Sequence, residues 1–86
     1  MGTAALILVV DDDPVMREIT RVHLENAGYE VALATSAAEG LQKARGLRPS
    51  LVVMDVAMPG GSGTEALRAL RTDDEIGDTP VLMVTA

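Results

Sequence analysis

Three aspartates, Asp11, Asp12 and Asp13, follow directly on the apolar run Leu6-Ile7-Leu8-Val9-Val10, and a further one, Asp55, closes the run Leu51-Val52-Val53-Met54. A hydroxyl, Thr85, follows a third run, Val81-Leu82-Met83-Val84. Each run is short, rich in β-branched residues and flanked by charge, proline or glycine, the pattern of a strand buried on both faces of a parallel sheet. In open α/β sheets the carboxyl ends of the strands are where ligands bind. If the first and third strands are neighbours, Asp11, Asp12 and Asp55 converge at one edge. Carboxylates packed together repel unless a cation intervenes, and an all-oxygen set suits a hard divalent ion, Mg²⁺ foremost, holding several waters. Read on position alone, Asp11 to Asp13 also fit a loop and a helix cap.

The elements that must position these groups are legible in the same terms. Asp13-Pro14 starts a helix, with Asp13 as the cap and Pro14 at the first position, where it has no donor to lose. Val15, Ile19 and Val22 recur at helical spacing, with Met16, Leu24 and Ala27 widening the stripe, and Gly28 stops the helix. Residues 30–34 alternate weakly and make a second strand. Ser36 and Glu39 fit a capping box, followed by Leu41, Ala44 and Leu47 on one face of a helix that ends before Pro49. Ser62 and Glu65 offer another box, with Ala66, Leu67 and Leu70 behind it; a polar loop then runs from Thr72 to Pro80. The order βαβαβαβ predicts parallel strands with helices on both faces.

With 86 residues the chain allows one domain, residues 1–86, and shows no repeat or linker. Tyr29 is the only aromatic residue and the net charge is −6, which together exclude base stacking and phosphate-backbone binding as functions. No direct nucleic-acid contact is expected. No cysteine means no disulfide and no thiolate zinc site, compatible with a cytoplasmic location. The run Ala4 to Val10 is too short to span a bilayer and lacks a basic flank, so neither a signal peptide nor a membrane association is expected. His23 and Tyr29 read as ordinary surface and corner residues, and the arginines 17, 21, 45, 48, 68 and 71 as solvated helix faces.

The pattern Ile7-Leu8-Val9-Val10-Asp11-Asp12-Asp13-Pro14, then Asp55-Val56-Ala57-Met58-Pro59 with Gly63 beyond, then Val81 to Thr85-Ala86, resembles a bacterial two-component response-regulator receiver domain. Three blocks match in order and at fitting spacings. The resemblance implies a flavodoxin-like sheet of strand order 2-1-3-4, incomplete after the fourth strand. It implies that Asp55 takes a phosphoryl group from a histidine kinase or phosphotransfer protein, that Asp11, Asp12, Asp55 and the backbone carbonyl of Ala57 hold Mg²⁺, and that Thr85 is the switch hydroxyl beside a small Ala86. Such a module assists its own phosphorylation and is not a conventional enzyme. The chemistry agrees, because phosphoryl transfer asks for a positioned carboxylate nucleophile and neutralised oxygens.

Two departures from the pattern matter. Gly60-Gly61-Ser62 replaces the bulkier residues usual after Met-Pro, and the family's lysine on a fifth strand has no counterpart, since the single lysine, Lys43, falls in the second helix. An incomplete sheet would leave strand four at an open edge, and an apolar edge without a blunting charge invites pairing, which predicts a homo-oligomer through strand four and helix one. The alternative function is a switch-defective interaction or oligomerisation module of the same fold. A third, a phosphatase of the haloacid-dehalogenase type built on Asp11 and Asp13, needs a longer core than this chain supplies.

Overall fold

The computed structural model describes residues 4–56 and 63–84. Its elements alternate as β1 (Leu6–Val10), α1 (Pro14–Asn26), β2 (Glu30–Ala34), α2 (Ala37–Leu47), β3 (Leu51–Asp55), α3 (Gly63–Arg71) and β4 (Val81–Val84). The strands are parallel and ordered β2-β1-β3-β4, the sheet expected of a flavodoxin-like fold. Expected strand boundaries hold closely, because each strand is an apolar run closed by a polar or turn-forming neighbour.

The pleat of β1 and β3 divides the core in two. On one face Leu8, Val10, Val52 and Met54 pack with Ala44 of α2 and Ala66 and Leu70 of α3. On the other, Ile7, Val9 and Val53 pack with Leu24 of α1. Leu8 and Val10 are wholly removed from water, and each such side chain contributes roughly 1.5–3 kcal/mol by burial. A slip of one residue in register would exchange the two faces, so the pairing is firmly specified.

Helix starts follow the expected chemistry. Asp13 caps α1, accepting from the N–H groups of Val15 at 2.9 Å and Met16 at 3.4 Å. Ser36 caps α2 by accepting from the Glu39 N–H at 3.1 Å. The reciprocal half of that box differs from expectation: Glu39 reaches past Ser36 to accept from the N–H and hydroxyl of Thr35. Gly28 leaves α1 with φ 97°, a left-handed turn for which glycine carries no steric penalty.

Much of the apolar stripe of α1 is uncovered, as association through helix one requires: Val15, Met16, Ile19 and Val22 are exposed, while Leu24 packs against a core cluster. Two local expectations are corrected. In α2, Leu47 is exposed, and Gly40 lies against β1 instead, so close that a Cβ there would stand 2.7 Å from Val10 Cγ2. The polar loop after α3 is pinned to the core by Ile76, which is only 3% exposed. Asp73 accepts from the N–H groups of Glu75 and Ile76, and Arg71 donates to the carbonyls of Gly77 and Thr79, so this connection is held along most of its length.

Candidate functional site

The register that pairs Val10 with Met54 carries β1 and β3 to the same edge, and Asp11 therefore leaves the sheet beside Asp55. One carboxylate oxygen from each of Asp11, Asp12 and Asp55 lies within 4.8 Å of the other two. Asp11 and Asp55 are half-buried and Asp12 is exposed. Asp13 is occupied as the α1 cap, so the acidic run is divided: two members face the site and the third starts the helix. The cap reading holds for Asp13, while Asp11 and Asp12 stand in the carboxylate cluster with Asp55.

The donor set fits a small hard cation. Octahedral Mg²⁺ at about 2.0–2.1 Å from its ligands separates them by about 2.9 Å when adjacent and about 4.2 Å when opposite. A span of 4.8 Å closes to that geometry with a small side-chain adjustment. The exposed side of Asp12 leaves room for the waters that Mg²⁺ retains.

The acidic loop is held at several points. The Asp11 N–H donates to the Ala34 carbonyl at 3.1 Å, tying the loop to the end of β2. The Asp13 N–H donates to Asp11 Oδ1 at 2.9 Å, which fixes one carboxylate oxygen and leaves the other for a ligand. Arg17, expected on a solvated helix face, instead reaches back six residues and donates from a terminal guanidinium nitrogen to the Asp11 carbonyl at 2.9 Å. Arg45 and Arg48 are exposed, as the solvated reading expects, and each pairs with an acid distant in sequence, Arg45 with Asp73 at 2.6 Å and Arg48 with Glu75 at 2.7 Å. Arg21 is ion-paired with Glu18 and Glu25 along α1. On the other side of the site, the Val56 N–H donates to the Val84 carbonyl at 3.0 Å, which keeps the end of β3 in line with β4.

Electrostatics around the site follow from these contacts. Glu39 is held below the ordinary carboxylate range, first by the Thr35 N–H and hydroxyl that donate to it and further by the positive charges of Lys43 and Arg17. Lys43 lies on α2, donates to the Leu33 carbonyl and stands 3.9 Å from Glu39. Ala57, Thr85 and Ala86 lie outside the described residues, as do Met58 to Ser62. Thr85 follows Val84, which pairs with Asp55 in the β3–β4 ladder.

A groove of about 370 Å³ opens from the site along the α1 face of the sheet. Asp11, Asp13 and Asp55 line its polar end, and Met16, Leu24, Val53, Leu82 and Val84 its apolar walls. Sequence reasoning found the carboxylates because they end apolar runs. It missed Arg17, since a guanidinium six residues from its acceptor leaves no periodic trace.

A sequence profile described as "Response regulator receiver domain" matches residues 7–86. The DNA-binding dual master transcriptional regulator RpaA of Synechocystis sp. is 39% identical over 80 residues, covering 93% of this chain and 33% of RpaA. Protein PilH of Pseudomonas aeruginosa is 40% identical over 81 residues, covering 94% of this chain and 67% of PilH. The crystal structure of the N-terminal domain of a response regulator receiver protein from Methanoculleus marisnigri superposes with a TM-score of 0.92 at 39% identity, covering 95% of this chain and 67% of that one. The chain thus spans about a third of RpaA and two thirds of the solved receiver.

Proposed function

Because the chain belongs to the response-regulator receiver family, we propose that Asp55 is its phosphoacceptor, with Asp11, Asp12, Asp55 and the Ala57 carbonyl holding Mg²⁺. The family makes it a phosphorelay signalling module and not a conventional enzyme. The observation that carries the site assignment is the gathering of three carboxylate oxygens within 4.8 Å at the carboxyl edge of the sheet, one of them on the last residue of a buried strand.

In the transfer, an Asp55 carboxylate oxygen attacks the phosphorus of a phosphohistidine on a kinase or phosphotransfer protein. A P–O bond forms as the P–N bond breaks, and the bonding pair leaves with the imidazole nitrogen, which takes up a proton. The metal ion, when bound, neutralises charge on the transferred oxygens. Asp55 supplies the nucleophile on a strand whose neighbours on both sides are hydrogen-bonded, so little reorganisation is needed. Asp11 and Asp12 orient the cation side, and Thr85 provides the hydroxyl that bonds the phosphoryl oxygen and reports its presence. Residues 1–86 act as one domain in this reading.

Two finer readings accompany it. The location is cytoplasmic, in keeping with the phosphohistidine donor; no helix among the described residues is long and apolar enough to cross a membrane. The chain self-associates through β4 and α1. Among the described strands β4 pairs only with β3; Leu82 and Val84 on β4 and Ile19 and Val22 on α1 are exposed, and an apolar edge strand is of the kind that pairs with a second copy. A switch-defective interaction module is not favoured, because such a module has no need of the assembled acidic site.

Intact-mass spectrometry after incubation with a small-molecule phosphodonor and Mg²⁺ tests the assignment. The parent gains one phosphoryl group, Asp55→Asn gains none, and acid-stable or hydroxylamine-resistant modification would show that another residue type is the acceptor. Modification of Asp11 in place of Asp55 would refute it.

A further inference from the structure

Arg17 is the one cation hydrogen-bonded to the backbone of the acidic loop among the described residues. Its acceptor, the Asp11 carbonyl, belongs to the peptide that joins the two loop ligands, Asp11 and Asp12. The contact is part-buried and 2.9 Å long. We propose that Arg17 is a positioning residue for the cation site, holding the Asp11–Asp12 peptide so that both carboxylates face Asp55. The proposal rests on the reading of that site as a metal site.

The surrounding bonds show why this peptide needs a hold. Asp11 is tied at its N–H to the Ala34 carbonyl and at Oδ1 to the Asp13 N–H, so the Asp11 carbonyl is the remaining backbone group through which the peptide can rotate. Pinning it sets the direction in which Asp12 leaves the loop. Arg17 is itself placed by α1, whose start is fixed by the Asp13 cap and Pro14. The Asp11 N–H to Ala34 carbonyl bond ties the same loop to the end of β2. A planar guanidinium with fixed donor directions suits such a hold better than the point charge of lysine.

Two effects of Arg17 on a bound cation oppose each other, and this makes the proposal testable. As a nearby positive charge it repels Mg²⁺; as a clamp on the ligand loop it favours binding. Outer-shell partners of metal ligands typically contribute 10–100-fold in affinity, and a clamp on a ligand's backbone belongs near the low end, about tenfold. Calorimetric titration of the metal-free chain with Mg²⁺ should therefore show Arg17→Ala about tenfold weaker than the parent, although it has lost a repulsive charge. Arg17→Met, which keeps the aliphatic stem and its packing, should behave likewise and covers the case in which alanine unfolds the chain. Arg17→Lys should recover part of the loss. Without metal, amide exchange at Asp13, whose N–H bonds Asp11 Oδ1, should quicken in both neutral variants while core amides stay protected. Equal or tighter Mg²⁺ binding by a folded Arg17→Met chain overturns the proposal and leaves the site intact. A parent that binds no Mg²⁺, tested beside Asp12→Ala, overturns the site reading and the proposal with it.

Discussion

Gly40 sits where α2 crosses β1, one strand residue before the acidic loop, and replacing it tests how tightly that crossing is set. A Cβ built on Gly40 stands 2.7 Å from Val10 Cγ2, 3.2 Å from Cγ1 and 3.5 Å from Val10 Cβ. The first two distances are below ordinary contact and the third is not. Val10 is wholly buried at the carboxyl end of the interior strand β1, so its methyls have nowhere to retreat, and overpacking of this kind costs about 1–3 kcal/mol. Against this, alanine in a helix interior is favoured over glycine by about 1 kcal/mol. Gly40→Ala should therefore destabilise the chain by up to about 2 kcal/mol, each kcal/mol lowering the midpoint by about 4–8 °C in a domain of this size. In a Val10→Ala background only the 3.5 Å neighbour remains, the clash is gone, and the same substitution should stabilise by about 1 kcal/mol. Urea unfolding of the four chains of this cycle, followed by far-ultraviolet dichroism, measures the reversal as a coupling of about 1–3 kcal/mol. Gly40→Ala that stabilises equally in both backgrounds would mean that α2 and β1 are not in the contact described.

Further outcomes follow from the same contacts. Mg²⁺ affinity should be weak, about millimolar, and fall in both Asp12→Ala and Asp55→Asn; calorimetry that finds both unchanged would disprove the ligand set. Glu39 and Asp73 are carboxylates held below their ordinary values of 4.5 and 3.8, Glu39 by Thr35 donors and Asp73 chiefly by Arg45. A depressed folded-state value contributes stability that is present above the unfolded value and is lost as pH falls through the folded one, so thermal stability should decline below about pH 4.5. Glu39→Gln should flatten part of that decline, and an identical pH profile would exclude its role. Leu82→Lys should reduce self-association in sedimentation at micromolar concentration while leaving the fold intact; a parent that sediments as a monomer would remove the β4 interface.

What the sequence made legible is what local rules determine. Strand identity came from apolar runs, helix starts from Asp13 and Ser36, and the strand order from a resemblance that fixed which runs are neighbours. Given that order, Asp11 and Asp55 had to meet, because each is the first polar residue at the end of its strand and parallel register brings strand ends together. The placements that escaped prediction are those decided by a partner distant in sequence. Ile76 is a lone apolar residue in a polar stretch, and no period marks it as core; it is buried because the loop folds back beneath α3. Arg45 and Arg48 find Asp73 and Glu75 through the packing of α2 against that same loop.

The stripe on α1 shows the limit from the opposite side. Periodicity identifies a face that can be buried, and Val15, Ile19 and Val22 form such a face, yet in this chain they remain exposed. An amphipathic pattern records the surface a helix would cover, whereas burial also requires something to pack against it. The carboxylates carry no such dependence, since the strands that place Asp11 and Asp55 are buried by their own neighbours on both sides. Variants on the exposed α1 face should therefore alter assembly before they alter the cation site, and variants at Arg17, whose guanidinium turns from the same helix toward the loop, should do the reverse.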